Sequence, residues 1–114
     1  MDQEKHLYIL WTSGDVDTAV GMAVTYARKS VVRGWWERVT VILWGASERL
    51  AAENADVQKA VREAMAAGVK FAACVAYARD LGVVEQLEAL GIEVARQGET
   101  LTELIQSGAK LITI

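Results

Sequence analysis

A single cysteine, Cys74, and a single histidine, His6, narrow the chemistry open to this chain of 114 residues. Cys74 follows the run Val69-Lys70-Phe71-Ala72-Ala73 and precedes Val75-Ala76-Tyr77, so its thiol stands where a strand ends and a helix opens. The positive end of a helix dipole favours the thiolate, the form that attacks sulfur or carbonyl centres, and Arg79 would add positive charge. Free cysteine is also among the most buried residue types, so position alone leaves an inert core thiol equally open. One cysteine makes no intrachain disulfide, and one Cys with one His does not furnish the ligands of a structural zinc site.

Two enzyme classes lose ground on spacing. Four residues separate Cys74 from Arg79, one short of the loop with which phosphatases and arsenate reductases cradle an oxyanion. A papain-like nucleophile needs a histidine base, but His6 stands at the start of the first strand, away from the carboxyl edge, and reads as an ordinary surface residue. Two further segments fall where strands give way to helices: Thr12-Ser13-Gly14-Asp15 and Gly45-Ala46-Ser47. Ser13 and Gly14 could offer a hydroxyl and backbone N–H groups to an anion. The segment lacks the glycine spacing and lysine of a P-loop and the dinucleotide fingerprint, so a capped turn is the better reading. Asp15 and Asp17 are read the same way, as acids stabilising the first turn of a helix rather than as an acid/base pair.

The elements that must position these groups follow from hydrophobic periodicity. Leu7–Trp11, Arg38–Trp44, Val69–Ala73, Ile92–Ala95 and Leu111–Ile114 read as strands, short and rich in β-branched or apolar residues. Between the first two, Val16, Ala19, Val20, Ala23, Val24, Ala27 and Val31 recur at helical spacing, with Asp15 as N-cap and Gly34 as stop. Ser47–Ala52 reads as a short helical turn, and Asn54 caps a helix striped by Val57, Ala60, Val61, Ala64 and Met65. Val83, Val84, Leu87 and Leu90 mark a further helix. Thr100 and Glu103 read as a capping box opening a last helix, with Leu101, Leu104 and Ile105 facing inward.

Helices end at Gly34, Gly68, Gly91 and Gly108, and a strand follows each. Strands separated by helices cannot pair as hairpins, so the pattern predicts an α/β fold of three layers, with a mainly parallel five-stranded sheet between helices on both faces. The length suits one domain, residues 1–114. No apolar run approaches a membrane span, and Met1-Asp2-Gln3-Glu4-Lys5 is polar and acidic, so neither a membrane protein nor a secretory signal is expected, and a cytoplasmic protein is. The net charge of −3 is scattered along helices, which argues against nucleic acid as a partner. Adjacent Trp35 and Trp36 are hard to bury together in a small monomer, and suggest a subunit contact.

The strand, the turn with Ser13 and Asp15, the alanine-rich helix, the second strand ending in Trp44-Gly45, and Lys70-Phe71-Ala72-Ala73-Cys74-Val75-Ala76-Tyr77-Ala78-Arg79-Asp80-Leu81-Gly82 together resemble the DsrE/DsrF-like family of small sulfur-relay proteins. The likeness runs through Gly91-Ile92-Glu93-Val94 to Gly108-Ala109-Lys110-Leu111-Ile112-Thr113-Ile114. It implies subunits that assemble into trimers, hexamers or hetero-oligomers, with a homo-oligomer (trimer or hexamer, or a dimer) expected here, and, in sulfur-relay members, a persulfide carried on the cysteine after the third strand. Cys74 matches that position, with Ser13, Gly14, Tyr77 and Arg79 as candidate binding residues around it. A persulfide carrier would exchange sulfane sulfur with donor and acceptor proteins and needs no cofactor and no metal. The chain lacks a second cysteine to resolve a persulfide. The rival expectation is a non-catalytic oligomeric module that binds a small anion or a protein partner.

Overall fold

The computed structural model describes residues 5–114; most of the polar N-terminal segment, read above as carrying no signal, lies outside the described residues. Strand β1 spans His6–Trp11, β2 Arg38–Leu43, β3 Lys70–Cys74, β4 Glu93–Ala95 and β5 Lys110–Thr113. Helix α1 runs through Val16–Thr18, a π-helical stretch Ala19–Ala23 and Val24–Val32. Helices α2 (Ala46–Glu53), α3 (Ala55–Ala67), α4 (Val75–Leu81), α5 (Val84–Leu90) and α6 (Gly98–Gln106) complete the chain. The strands form one all-parallel sheet in the order β4-β3-β2-β1-β5. Among the described residues, no helix is long and apolar enough to cross a membrane.

This order decides where the helices lie. From β1 to β4 the chain steps across the sheet in one direction, so right-handed crossovers put α1 to α5 on one face; the return from β4 to β5 reverses direction and puts α6 on the other. Burial agrees. One cluster joins Leu7, Ile9, Trp11, Val39, Val41, Leu43, Phe71 and Ala73 of the sheet to residues of α1 to α5. Ile42, Ala72, Cys74 and Leu104 are buried outside that cluster. The architecture is therefore three-layered, with a thick helical layer on one face and α6 alone on the other.

Several caps are as expected. Asp15 accepts from the Thr18 amide at 2.8 Å, and Asn54 from that of Val57 at 3.0 Å. The C-terminal strand is held by Thr12 and Ile114, whose amides donate to Ile114 and Leu10 carbonyls at 2.6 and 2.8 Å. The last helix departs from expectation. It begins at Gly98 with Gln97 at its cap, so Thr100 already lies in the first turn and forms no capping box with Glu103. Its inward stripe is also narrower than the sequence suggests: Leu104 is buried, but Ile105 is 61 % exposed, because α6 has a sheet beneath it and no neighbouring helix beside it. Gly82, in the left-handed region at φ 71°, splits the segment after Cys74 into two helices. Of the tryptophan pair, Trp36 packs against the core, whereas Trp35 is 51 % exposed with Arg33 over its ring.

Candidate functional site

In parallel sheets, ligands collect beyond the carboxyl ends of the strands, where connections from two adjacent strands leave toward opposite faces. Here that place lies between β3 and β4: β3 feeds α4 on the thick layer, and β4 feeds α6 on the thin one. Cys74 ends β3, paired in register with Ala95 of β4. Alternation along β3 puts Phe71 and Ala73 in the main core and turns Ala72 and Cys74 toward the α6 side. The thiol lines a depression of about 310 Å³ that it shares with Trp44, Val75, Ala76, Arg96, Gln97, Gly98 and Glu99. Its walls are mostly apolar, Cys74 itself is 5 % exposed, and its side chain does not cap α4.

The sequence-derived binding residues divide around this depression. Arg79 lies in the last turn of α4 and does not line it; the cation that does is Arg96, in the loop between β4 and α6. Tyr77 is 37 % exposed on α4 and also lies outside the lining. Ser13 and Gly14 follow β1, two strands and so about 10 Å from β3 across the sheet. The Ser13 hydroxyl accepts from the Asp15 amide at 3.1 Å, an intraloop bond. Gly14 lies against α2: a Cβ there would sit 2.9 Å from that of Ala46. Ser13 and Gly14 thus build a tight β1–α1 turn, and the structure does not bring them together with Cys74.

A residue that sequence reasoning passed over lies behind Cys74. Glu48, in the first turn of α2, is 0 % exposed, and neither carboxyl oxygen has a hydrogen-bond partner. Burial pushes its carboxyl up from 4.5 to about 7, while the amides of Gly45 and Cys74 face it and pull the other way without closing hydrogen bonds. Its neighbour Ser47, also buried, donates to the Trp11 carbonyl at 2.5 Å and pins α2 to the end of β1. The signal was present in the sequence: Ser47 and Glu48 stand three to four residues before Ala51 and Ala52, which puts all of them on one helix face, and that face is the buried one.

His6 is also more than a surface residue. Its ring stacks on Tyr8 with centroids 4.0 Å apart, and Nε2 lies 2.8 Å from the Thr40 hydroxyl. Among the described residues, no cluster of His, Cys, Asp or Glu is arranged to hold a metal ion.

The fold is shared with solved structures. A conserved protein of unknown function from Bacteroides thetaiotaomicron, BT1422, is 38 % identical over 100 % of this chain and 98 % of its own, with a TM-score of 0.97. A protein of unknown function from Methanobacterium thermoautotrophicum, MTH1491, is 16 % identical over 96 % of this chain and 97 % of its own, with a TM-score of 0.68, a likeness of fold alone. No family model and no curated protein matches the chain.

Proposed function

The chain belongs to the family of the Bacteroides thetaiotaomicron protein BT1422, and from its own site we propose that it carries sulfane sulfur as a persulfide on Cys74. One observation carries the reading: the only cysteine stands where the connections of adjacent parallel strands diverge, in the floor of a depression beyond the strand ends. Apolar walls formed by Trp44, Val75 and Ala76 suit sulfur, which is soft and weakly hydrated, and would shield a persulfide from water. Arg96, which lines the depression together with Glu99, would face an incoming thiolate or persulfide anion with its guanidinium.

In the thiolate form Cys74 attacks the outer sulfur of a donor persulfide, R–S–SH. A bond forms between Cys74 Sγ and that sulfur, the donor S–S bond breaks, and R–S⁻ leaves, which gives Cys74–S–SH. An acceptor thiolate then attacks the outer sulfur, and the Cys74 thiolate is regenerated. Neither step changes the net redox state, and a second cysteine is not needed when donor and acceptor are separate proteins. The donor is a protein presenting a persulfide and the acceptor one presenting a thiol, and the carrier itself works as a homo-oligomer, a reading supported by Trp35 and Val32, 51 % and 63 % exposed at the end of α1.

The 5 % exposure of Cys74 favours a second reading, in which the thiol is an inert part of a non-catalytic binding module. Intact mass separates the two. The native protein is incubated with a low-molecular-weight persulfide, beside a Cys74→Ser control. Addition of one sulfur to the wild type alone supports the carrier. No addition, together with failure of a small thiol reagent to label the folded protein, removes the carrier and leaves the binding module.

A further inference from the structure

We propose that the open face of the sheet holds a second site, adjoining the Cys74 depression and sharing Arg96 and Gln97 with it: a cleft that binds a small, multiply charged anion, with phosphate or carboxylate groups held by Arg38 and Lys70. Among the described residues α6 alone covers this face and leaves the amino-terminal halves of β1, β2 and β3 bare there, and a cleft of about 440 Å³ extends from His6 and Arg38 to the start of α6. That volume is in the range of small-molecule sites, about 300–1,000 Å³.

Register brings the charges together. His6 pairs with Arg38 across β1 and β2, and Thr40 pairs with Lys70 across β2 and β3, so both cations line one cleft beside an aromatic wall. The wall is pre-set, since the His6 ring is held by stacking on Tyr8 and by the Thr40 hydroxyl. Arg96 contributes a third cation at the α6 end. Among the described residues the only acid in the lining is Glu93, whose carboxylate lies 3.8 Å from Lys70 Nζ, so these residues leave an excess of positive charge. His6 reports that excess: desolvation first, then Arg38 and Lys70, hold its imidazole below the ordinary range. An anion between Arg38 and Lys70 would offset both charges where water is partly excluded, and charge-assisted hydrogen bonds of this kind are the strong ones.

The test uses His6 itself, the only histidine, whose ring protons give resolved signals in proton NMR of the intact protein. Pyrophosphate and citrate serve as separate probes. The expected result is a saturable shift of the His6 signals with at least one of them, and a rise in the His6 titration midpoint at saturation. Arg38→Ala and Lys70→Ala, both changes at exposed positions, should each weaken binding about tenfold. Arg38→Ala should also raise the His6 midpoint without any probe. The proposal is overturned by the absence of a saturable shift with either probe up to about 10 mM, a concentration well above a millimolar dissociation constant. Affinity unchanged in the double variant would also overturn it. So would His6 signals that move with protein concentration alone, which would give the face to a second copy of the chain. None of these readouts involves Cys74, so failure here leaves the sulfur-carrier test standing.

Discussion

Replacing Glu48 by glutamine should make the protein more stable, and by an amount that depends on pH. Glutamine keeps the shape of the protonated side chain but cannot ionise. In the wild type the carboxyl titrates near 4.5 when unfolded and near 7 when folded. As pH rises between those values, the unfolded chain releases this proton and the folded chain keeps it, so the unfolded state gains relative stability. The wild type therefore has this contribution intact below about pH 4.5, loses it progressively as pH rises, and carries the full penalty above about pH 7. The displacement corresponds to about 3 kcal/mol. The surroundings of a buried carboxylate relax when it ionises, so about 2 kcal/mol is the expected net effect. Urea unfolding at about pH 4 and about pH 8, followed by tryptophan fluorescence, to which buried Trp11 contributes, measures it. The variant should match the wild type at the lower pH and unfold at a midpoint about 1 M higher in urea at the upper one. Equal stabilities at both values, or a loss at the higher pH, would show that Glu48 ionises freely in the fold.

Three further outcomes follow from particular contacts. Asn54→Ala removes the side-chain acceptor for the Val57 amide at the start of α3 and should cost about 1 kcal/mol, measured by the same unfolding assay. Gly14→Ala forces a Cβ to 2.9 Å from that of Ala46 and should cost about 1–3 kcal/mol; adding Ala46→Gly removes the clash and should recover part of the loss. Leu87→Ala in α5, fully buried in the main core, should cost about 2–5 kcal/mol, whereas Ile105→Ala on the exposed side of α6 should change stability by less than about 1 kcal/mol.

The strands, the caps at Asp15 and Asn54, and the helix stops at Gly34, Gly68, Gly91 and Gly108 were legible because each depends on neighbours within a turn or two of chain. Periodicity also fixed the parallel α/β class and the place of Cys74 at a strand end, since a strand followed by a helix admits no hairpin. The Thr100 capping box failed for a local reason: Gly98, Glu99 and Thr100 itself enter the helix, so its cap lies three residues earlier, at Gln97. Arg96 could not be singled out in place of Arg79. Sequence distance favours the residue five positions away, whereas the depression is closed by the loop after a different strand. The burial of Glu48 was half legible, as a carboxylate on the apolar face of a short helix, but its lack of a partner depends on what packs over that face.

Strand order lay beyond any local signal. Local pattern determined which segments are strands and that they run parallel, because backbone pairing and side-chain alternation act over a few residues. Only the tertiary structure decided that β5 returns beside β1. That single choice sends α6 alone to the second face, opens the crevice at Cys74 between β3 and β4, and leaves His6, Arg38 and Lys70 along a part of the sheet that no described helix covers. It rests on the handedness of crossovers and on burial summed over the whole core, and both become defined only once the elements have packed together.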